Sequence, residues 1–441
     1  MKFFHSPLTQ RTSSVILSRV MNILETLKGR HLLEAVTSPD LEEALHKPMT
    51  VYAGFDPTAD SLQAGNFVTI QMLVRLQRMG HRVIALVGGG TGLIGDPSGK
   101  SLERVMQTVE QVEHNVEGIR ENLSRFLRFD GDNPAILVNN YDWYKDISAI
   151  QFLRDIGVNF RVPAMLAKES VRKRLEATDG GMTFTEFSYQ ILQGWDFLHL
   201  YDTYGCTLQV GGADQWGNIT AGTDLVRRLR GVPVYGLTFP IVCDSTGRKF
   251  GKSEGNAMFL DARKTSYYDF YQFFLCADDA DVIRYLKIFT FLSDERIAEL
   301  EASLKAEPEK REAQKALAED IVRCVHGEAG LKIAQQATDA LFGGSLDGLD
   351  AATLEKIFAN VPSAELAREK VVGHPVWEVA AEAGLTPSKG EARRLLQQGG
   401  LSLNNARVAD AARAFGEDDF IDGRISVLRK GKKSFFLLRV Q

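Results

Sequence analysis

Residues 50–87 confine this chain more than any other stretch. Thr50, Val51, Tyr52 and Phe55 favour extended backbone. Asp56-Pro57 breaks that strand, because the residue before a proline is pushed out of helical space. Beyond Gly65, the apolar residues Phe67, Ile70, Leu73, Val74 and Leu76 recur at the three-and-four spacing of a helix, which stops at Gly80 in a C-cap position. Val83-Ile-Ala-Leu-Val87 is then a continuous apolar run of strand length, the pattern of a strand buried on both faces. Two strands joined through a helix run parallel, since a parallel pair needs a crossover. The first turn of this unit also brings free backbone N–H groups and the positive end of a helix to a polar loop, which suits an anion such as phosphate. Taken alone, it reads as an ordinary strand-to-helix turn.

The alternation continues. Residues 21–46 read as helical ahead of Pro48. Thr108 to Phe129 reads as a helix and Ala135–Val138 as a strand that ends in Asn139-Asn-Tyr-Asp-Trp143. Phe184 to Leu200 is helical, Thr207–Val210 a strand, and a helix runs from Gly217 to Arg230 before a strand over Val234–Val242. This predicts an α/β chain with a doubly wound, Rossmann-like parallel sheet that binds ligands outside the carboxyl ends of its strands. Residues 265–360 turn helical. A small α+β unit begins near His374-Pro375, with a helix around Glu391–Leu396 and strands around Leu401–Leu403 and Ile425–Leu428. The expected division is an extension over 1–20, a catalytic domain over 21–245, a lysine loop with a helical domain over 246–373, and a final domain over 374–441.

Charge and cysteines exclude more than they assign. The formal charge is −5, yet residues 365–441 carry 13 Lys/Arg against 10 Asp/Glu, so a slightly basic tail follows an acidic body. That distribution permits contact with nucleic acid. Cys206, Cys243, Cys276 and Cys324 are far apart and form no Cys-x-x-Cys pair, which reads as reduced thiols, with no zinc site. No apolar run approaches the ~18 residues of a spanning helix. Residues 1–20 hold Lys2, Arg11 and Arg19 and no acid, a weak likeness to an organelle transit peptide. The reading preferred is an extension ahead of the amphipathic start at Met21 and a cytoplasmic location.

Two glycine patterns mislead. Gly90-Thr-Gly-Leu-Ile-Gly95 matches the dinucleotide fingerprint, but about twenty residues on, where an acid should close a strand and hold a ribose, the chain is helical. Gly95-Asp-Pro-Ser-Gly-Lys-Ser101 sets its glycines one residue too close for a phosphate loop. A nicotinamide enzyme and a Walker-type NTPase both recede. What remains is a glycine-lined strand end followed by Asp96, Lys100 and Arg104. Lys249-Phe-Gly-Lys-Ser253 is the second telling stretch, because two lysines flanking a glycine can close over a polyphosphate as mobile charges. A lone pair of this kind is usually a solvated loop. Here it brackets one sheet domain together with the turn after Phe55.

Six blocks in order carry a resemblance: Tyr52–Asp60, Thr91–Gly99, Asn139–Trp143, Phe184–Gln193, Gly211–Asn218 and Lys249–Ser253. The chain resembles the bacterial-type tyrosyl-tRNA synthetases of class I from about Met21 to Gln441. The resemblance implies activation of L-tyrosine with ATP, release of pyrophosphate, and transfer of the tyrosyl group to the 3′-terminal adenosine of tRNA(Tyr). It implies that Tyr52 and Asp196 meet the tyrosine hydroxyl, with Asn140 beside them, and that Asp96, Tyr189 and Gln193 hold the ammonium group. Tyr189, Gln193 and Asp196 are spaced four and three apart, hence on one helix face. Lys249, Lys252 and Ser253 would clamp the pyrophosphate, Lys100 and Arg104 would stand near it, and Thr58 would touch the γ-phosphate. Gly54, Asp56, Gly65, Gly212, Asp214 and Gln215 fall at ATP-side positions. The resemblance further implies a homodimer, Mg2+ held mainly through the ATP phosphates with no protein metal site, and no tightly bound cofactor.

One departure stands out. The family's first signature carries two histidines, and this chain has Gln63-Ala64-Gly65-Asn66. Amides still donate to phosphate but carry no titratable charge. The rival reading is a catalytically weakened paralogue that acts as an RNA-binding protein. The final domain resembles the alpha-L RNA-binding motif over Leu385–Arg394 and Leu403–Asn405. Lys389, Arg393, Arg394 and Arg429–Lys433 are its candidate phosphate contacts.

Overall fold

The structure is a computed structural model that describes residues 22–441 apart from 99–105, 177–180, 254–255, 342–343, 345, 347–348, 359–360 and 432–433. The chain divides into two compact units. One comprises the residues up to Thr265 with Phe274–Val325, and the other Ser266–Phe273 with His326–Gln441.

The first unit is built on a six-stranded sheet of β1 (Ala35–Val36), β2 (Thr50–Phe55), β3 (Arg82–Val87), β4 (Ile136–Asn139), β5 (Cys206–Gly212) and β6 (Tyr235–Phe239), in the order β1-β6-β5-β2-β3-β4. All neighbours are parallel except β1, which pairs antiparallel with β6 at the edge. Strands β2, β3 and β4 step one way across the sheet and β5 and β6 the other, so the order reverses between β2 and β5. Their pairing stops at Tyr52↔Gln209, although β5 stays paired with β6 through Gly212. Past Tyr52 the two strands part, and this opens the crevice where a sheet of this kind takes a ligand. The helix Phe67–Arg78 returns from β2 to β3. It buries Phe67, Ile70, Leu73 and Leu76 completely and is capped by Gly80 at φ 95°. The helix Phe184–Tyr204 starts at Thr183, whose hydroxyl accepts from Glu186 N at 3.2 Å, and stops at left-handed Gly205.

Two sequence readings need correction. Residues 21–46 form no single helix: Ile23–Gly29 ends where His31 turns left-handed at φ 57° and Leu32 N donates back to Leu27 O. The edge strand β1 and a short helix, Leu41–Ala44, follow. The strand expected over Val234–Val242 stops at Phe239, because Pro240 has no N–H for the ladder.

The second unit holds a five-stranded sheet. After a two-residue hairpin in the first unit, β7 (Lys252–Ser253) with β8 (Asn256–Ala257), come β9 (Ser363–Leu366), β10 (Leu401–Leu403), β11 (Ala406–Arg407), β12 (Ile425–Lys430) and β13 (Ser434–Val440), in the order β11-β10-β12-β13-β9. One face packs Leu401, Leu428, Phe436 and Leu438 against the helix Val376–Glu382. The other packs Val427, Phe435 and Leu437 against Leu354 and Phe358. The molecule is thus mixed α/β with a parallel-rich sheet, many helices and a small C-terminal sheet unit. Among the described residues no helix is long and apolar enough to cross a membrane.

Candidate active site

The ends of β2, β3, β4 and β5 bring four polar segments to one edge of the sheet. Asp56, just past β2, accepts from Thr91 Oγ1 at 2.8 Å and from Tyr189 Oη at 2.7 Å. Past β3, a Cβ on Gly88 would stand 2.1 Å from Asp56 Oδ1. One on Gly89 would stand 2.2 Å from Asn139 Oδ1, and one on Gly90 2.5 Å from the Tyr144 ring. Gly88, Gly89 and Gly90, of which only the last belongs to the pattern that imitated a nucleotide fingerprint, are glycines because side chains at the ends of β2 and β4 and just beyond lie against their backbone. Gly90 N donates to Asn140 Oδ1 at 2.7 Å and Gly89 N to Asn139 Oδ1 at 3.1 Å, so the two asparagines at the end of β4 fix this loop.

Asp196 lies at the centre of a first polar cluster and is fully buried. Asn140 Nδ2, Trp143 Nε1 and Tyr144 Oη surround its carboxylate at 3.1, 3.0 and 2.8 Å. Burial pushes its pKa up to about 7, and those three donors pull the other way. Tyr52 packs edge-on against Phe197 at 5.2 Å, one residue along the helix from Asp196. The Tyr52 hydroxyl is buried and has no hydrogen-bond partner among the described residues. Burial first, and the Asp196 charge second, hold its phenol well above the ordinary value, so it stays a donor. A buried donor without an acceptor is costly, and its position beside Asp196 fits a ligand with a hydroxyl.

A second polar group gathers around Asp96 and Tyr189. Asp96 accepts from Gln215 Nε2 at 2.6 Å, Asn218 Nδ2 at 3.3 Å and its own loop at Ser98 N. Burial, then Asp56, Asp96 and Asp196 in turn, raise the Tyr189 phenol well above its ordinary value. Three carboxylates acting on one buried ring make a field that favours a cation such as an ammonium group. Gln193 sits half-buried on the same helix between Tyr189 and Asp196.

The anion side is assembled from two backbones. Gln63 precedes, and Asn66 ends, the 3-10 turn Ala64–Asn66 that opens the Phe67–Arg78 helix. Asn66 Oδ1 accepts from Gln63 N at 3.0 Å, which leaves the Asn66 amide hydrogens as its donors. Gly65 is exposed, and Gly251, at φ 94°, lies on it: a Cβ there would stand 2.7 Å from Gly65 N. Ala64 N donates to Met258 O and Leu260 N to Leu62 O. The two signature segments, far apart in sequence, therefore meet through glycine backbones. Phe250 anchors the lysine segment by stacking on Phe289 at 4.6 Å, while Lys249 is exposed. Lys252 and Ser253 form β7, and their side chains, like Lys100 and Arg104 entirely, lie outside the described residues. Thr58 is exposed on the opening loop and Gly54 exposed in β2 at the crevice. Gly212 ends β5 and Asp214 lies just beyond it, so that a Cβ on Gly212 would stand 2.8 Å from Asp214 Oδ1.

Trp143, Tyr144, Thr91 and Asn218 had no assigned role in the sequence reading. Trp143 and Tyr144 were within reach of it, since an indole N–H and a phenol just past a strand need a buried acceptor. Thr91 and Asn218 gave no signal, because their partners come from other strand ends.

A family model described as tRNA synthetases class I (W and Y) matches residues 43–343, and one described as a Tyrosine--tRNA ligase SYY-like C-terminal domain matches residues 353–438. The Tyrosine--tRNA ligase of Opitutus terrae is 49% identical over 425 residues, covering 95% of this chain and 100% of its own. That of Bacillus caldotenax is 49% identical over 423 residues, again 95% and 100%. Among solved structures, a C-terminally truncated mitochondrial tyrosyl-tRNA synthetase of Aspergillus nidulans aligns with TM-score 0.65 and 31% identity, over 72% of this chain and 94% of its own. The tyrosyl-tRNA synthetase of Archaeoglobus fulgidus complexed with L-tyrosine is only 18% identical at TM-score 0.53 over 70% of this chain and 100% of its own, a likeness of fold.

Proposed function

The chain belongs to the tyrosyl-tRNA synthetases of class I, and on that premise we propose which of its residues carry the reaction. The enzyme joins tyrosine to AMP through ATP, releases pyrophosphate, and passes the tyrosyl group to the 3′ end of its tRNA. The observation that supports the tyrosine pocket best is the unpartnered, buried Tyr52 hydroxyl beside Asp196. Asp196 accepts the substrate phenol and Tyr52 donates to it. Phenylalanine would leave the buried Tyr52 hydroxyl unpaired, at about 1–3 kcal/mol, and would take one donor from an Asp196 that keeps its three protein partners. The field of Asp56 and Asp96 around Tyr189 receives the ammonium group, with Gln193 between.

With the phenol and ammonium held, the tyrosine carboxylate points across the parted ends of β2 and β5. Its oxygen attacks the α-phosphorus of ATP in line, the bond to the bridging oxygen breaks, and pyrophosphate leaves. No covalent catalyst is required, so placement and stabilisation of phosphate charge supply the rate. The amides of Gln63 and Asn66 and the hydroxyl of Thr58 donate to the phosphates. Lys249, Lys252 and Ser253, with Lys100 and Arg104, close on the leaving pyrophosphate. Gly54, Asp56, Gly65, Gly212, Asp214 and Gln215 line the nucleotide. Mg2+ comes with ATP as part of the substrate, held through its phosphates. Among the described residues no group of three or more His, Cys, Asp or Glu stands where it could hold an ion.

The partners proposed are tRNA(Tyr) and a second copy of the chain. Ile150, Leu153, Val158 and Val162 are large apolar residues exposed close together in sequence, which supports a contact surface in this stretch. The domain division expected from the sequence, with 374–441 as RNA-binding domain, and a cytoplasmic location belong to the same proposal. ATP–pyrophosphate exchange with each of the twenty amino acids tests the whole reading. Exchange that depends on tyrosine alone is the expected result, and its absence would favour an RNA-binding relative without adenylate formation.

A further inference from the structure

The loop that carries Thr58 to Asn66 is held from behind by one helix, Val109–Ser124. Asn115, Gly118 and Asn122 are spaced three and four apart and share a face of it. Asn115 Nδ2 donates to Pro57 O at 3.0 Å. A Cβ on Gly118 would stand 1.9 Å from Asp60 O, so the loop backbone lies directly on the helix. Asn122, only 1% exposed, accepts through Oδ1 from Ser61 Oγ at 3.0 Å and from Leu62 N at 2.9 Å. Just before the helix, Gln107 Nε2 donates to Thr58 O at 3.2 Å. The contacts thus follow the loop residue by residue, and nearly all go to its main chain. From the other side Leu260 N donates to Leu62 O. Both polar groups of Leu62, the residue just before Gln63, are therefore fixed.

A helix that merely filled a core would present apolar volume to this loop. Instead it presents two buried amides and a glycine, a residue unfavourable in a helix interior unless something must approach closely. Gln63 and Asn66 are neutral donors, and neutral donors act on phosphate only where placement is accurate. We propose that Asn122 and Gly118 are positioning residues for ATP: they set the main-chain path of Thr58–Asn66, and through it the placement of the Gln63 and Asn66 amides, without touching substrate. The proposal rests on reading this loop as the ATP side of a tyrosine-activating site.

The test is tyrosine-dependent ATP–pyrophosphate exchange on Asn122→Ala, Gly118→Ala and Ser61→Ala. Tyrosine Kd by fluorescence titration and Tm are measured on the same preparations. Asn122→Ala should lower kcat/KM for ATP about ten- to a hundredfold, the scale of a misplaced reacting group, while tyrosine Kd stays within about twofold. Gly118→Ala should do the same although it removes no hydrogen bond, and Ser61→Ala should fall less than about tenfold, since Leu62 N still meets Asn122. If tyrosine binding and ATP turnover fall in parallel with Tm, the helix is only structural and the proposal fails. Unchanged kcat/KM for ATP also overturns it. If Asn122→Ala does not fold, the same split in Gly118→Ala and Ser61→Ala decides. Absence of tyrosine-dependent exchange in the wild-type protein would instead overturn the underlying reading.

Discussion

At the scale of single residues the tyrosine pocket has a pH signature. Asp196 carries its proton to about 7 because burial outweighs its three donors. A substrate phenol donates best to an ionised carboxylate. Tyrosine affinity should therefore strengthen as pH rises from 6 through 7 and level off above. Titration of tyrosine Kd across that range checks this, with Asp196→Asn expected to bind more weakly and show no inflection there. The sign for stability is opposite. A carboxyl whose folded pKa lies above its unfolded value stabilises the fold when protonated, and that contribution is lost as pH rises toward 7. The wild-type Tm should thus carry a downward pH slope that Asp196→Asn lacks. The amide signature allows a second check. Asn66 already spends its carbonyl on Gln63 N and keeps its N–H donors, the function a neutral imidazole would serve. Replacing Gln63 and Asn66 together by His should change the exchange rate by less than about tenfold, because hydrogen-bond donors of equal charge are exchanged.

At the scale of elements, the sequence made the βαβ unit plain because burial on both faces leaves a run such as Val83–Val87 little choice. It also paired Tyr189 with Asp196, since a continuous helix fixes which residues share a face. It set the Gly90–Gly95 fingerprint aside but gave no reason for the glycines at 88–90. No local pattern reveals that Asp56, just past β2, and Asn139, at the end of β4, lean on them. The strands β9 and β13 were missed: Ser363–Leu366 gains its structure only by lying parallel to β13. Residues 21–46 misled because Gly29 and Pro39 were outweighed by apolar spacing. Gly88→Ala forces Asp56 and Thr91 apart and should cost about 1–3 kcal/mol, the usual price of overpacking, with lower Tm and weaker tyrosine binding. Gly54→Ala meets only Leu86 Cδ2 at 3.9 Å, so Tm should hold while ATP KM rises, if Gly54 lines the nucleotide as proposed. Thermal melts and exchange kinetics on both variants separate packing from binding.

At the scale of the whole molecule, activation and charging should come apart. The described residues proposed for activation lie in the first unit, while the basic side chains proposed for RNA lie in the second. There, Lys389, Arg393 and Arg394 are exposed on one short helix, Lys389–Gln397. Lys389 pairs loosely with Glu378 at 3.4 Å, and Arg393 lies 6.0 Å from the centre of the Trp377 ring, so neither is committed to the core. Arg429 differs: it is half-buried 5.7 Å from the Phe435 ring, and Lys430 pairs with Glu391 at 2.8 Å, which marks both as partly structural. Substituting Lys389, Arg393 and Arg394 together by Ala should leave tyrosine-dependent exchange within about twofold, since surface changes of this kind shift stability little. The same protein should charge tRNA with a raised KM, and the slope of log K against log salt should flatten by up to about three, one unit for each phosphate contact removed. Filter binding from 50 to 200 mM salt, set beside exchange rates, reads both quantities. An unchanged salt slope would move the RNA contacts elsewhere, and a parallel loss of exchange would mean that this helix supports the first unit rather than the RNA.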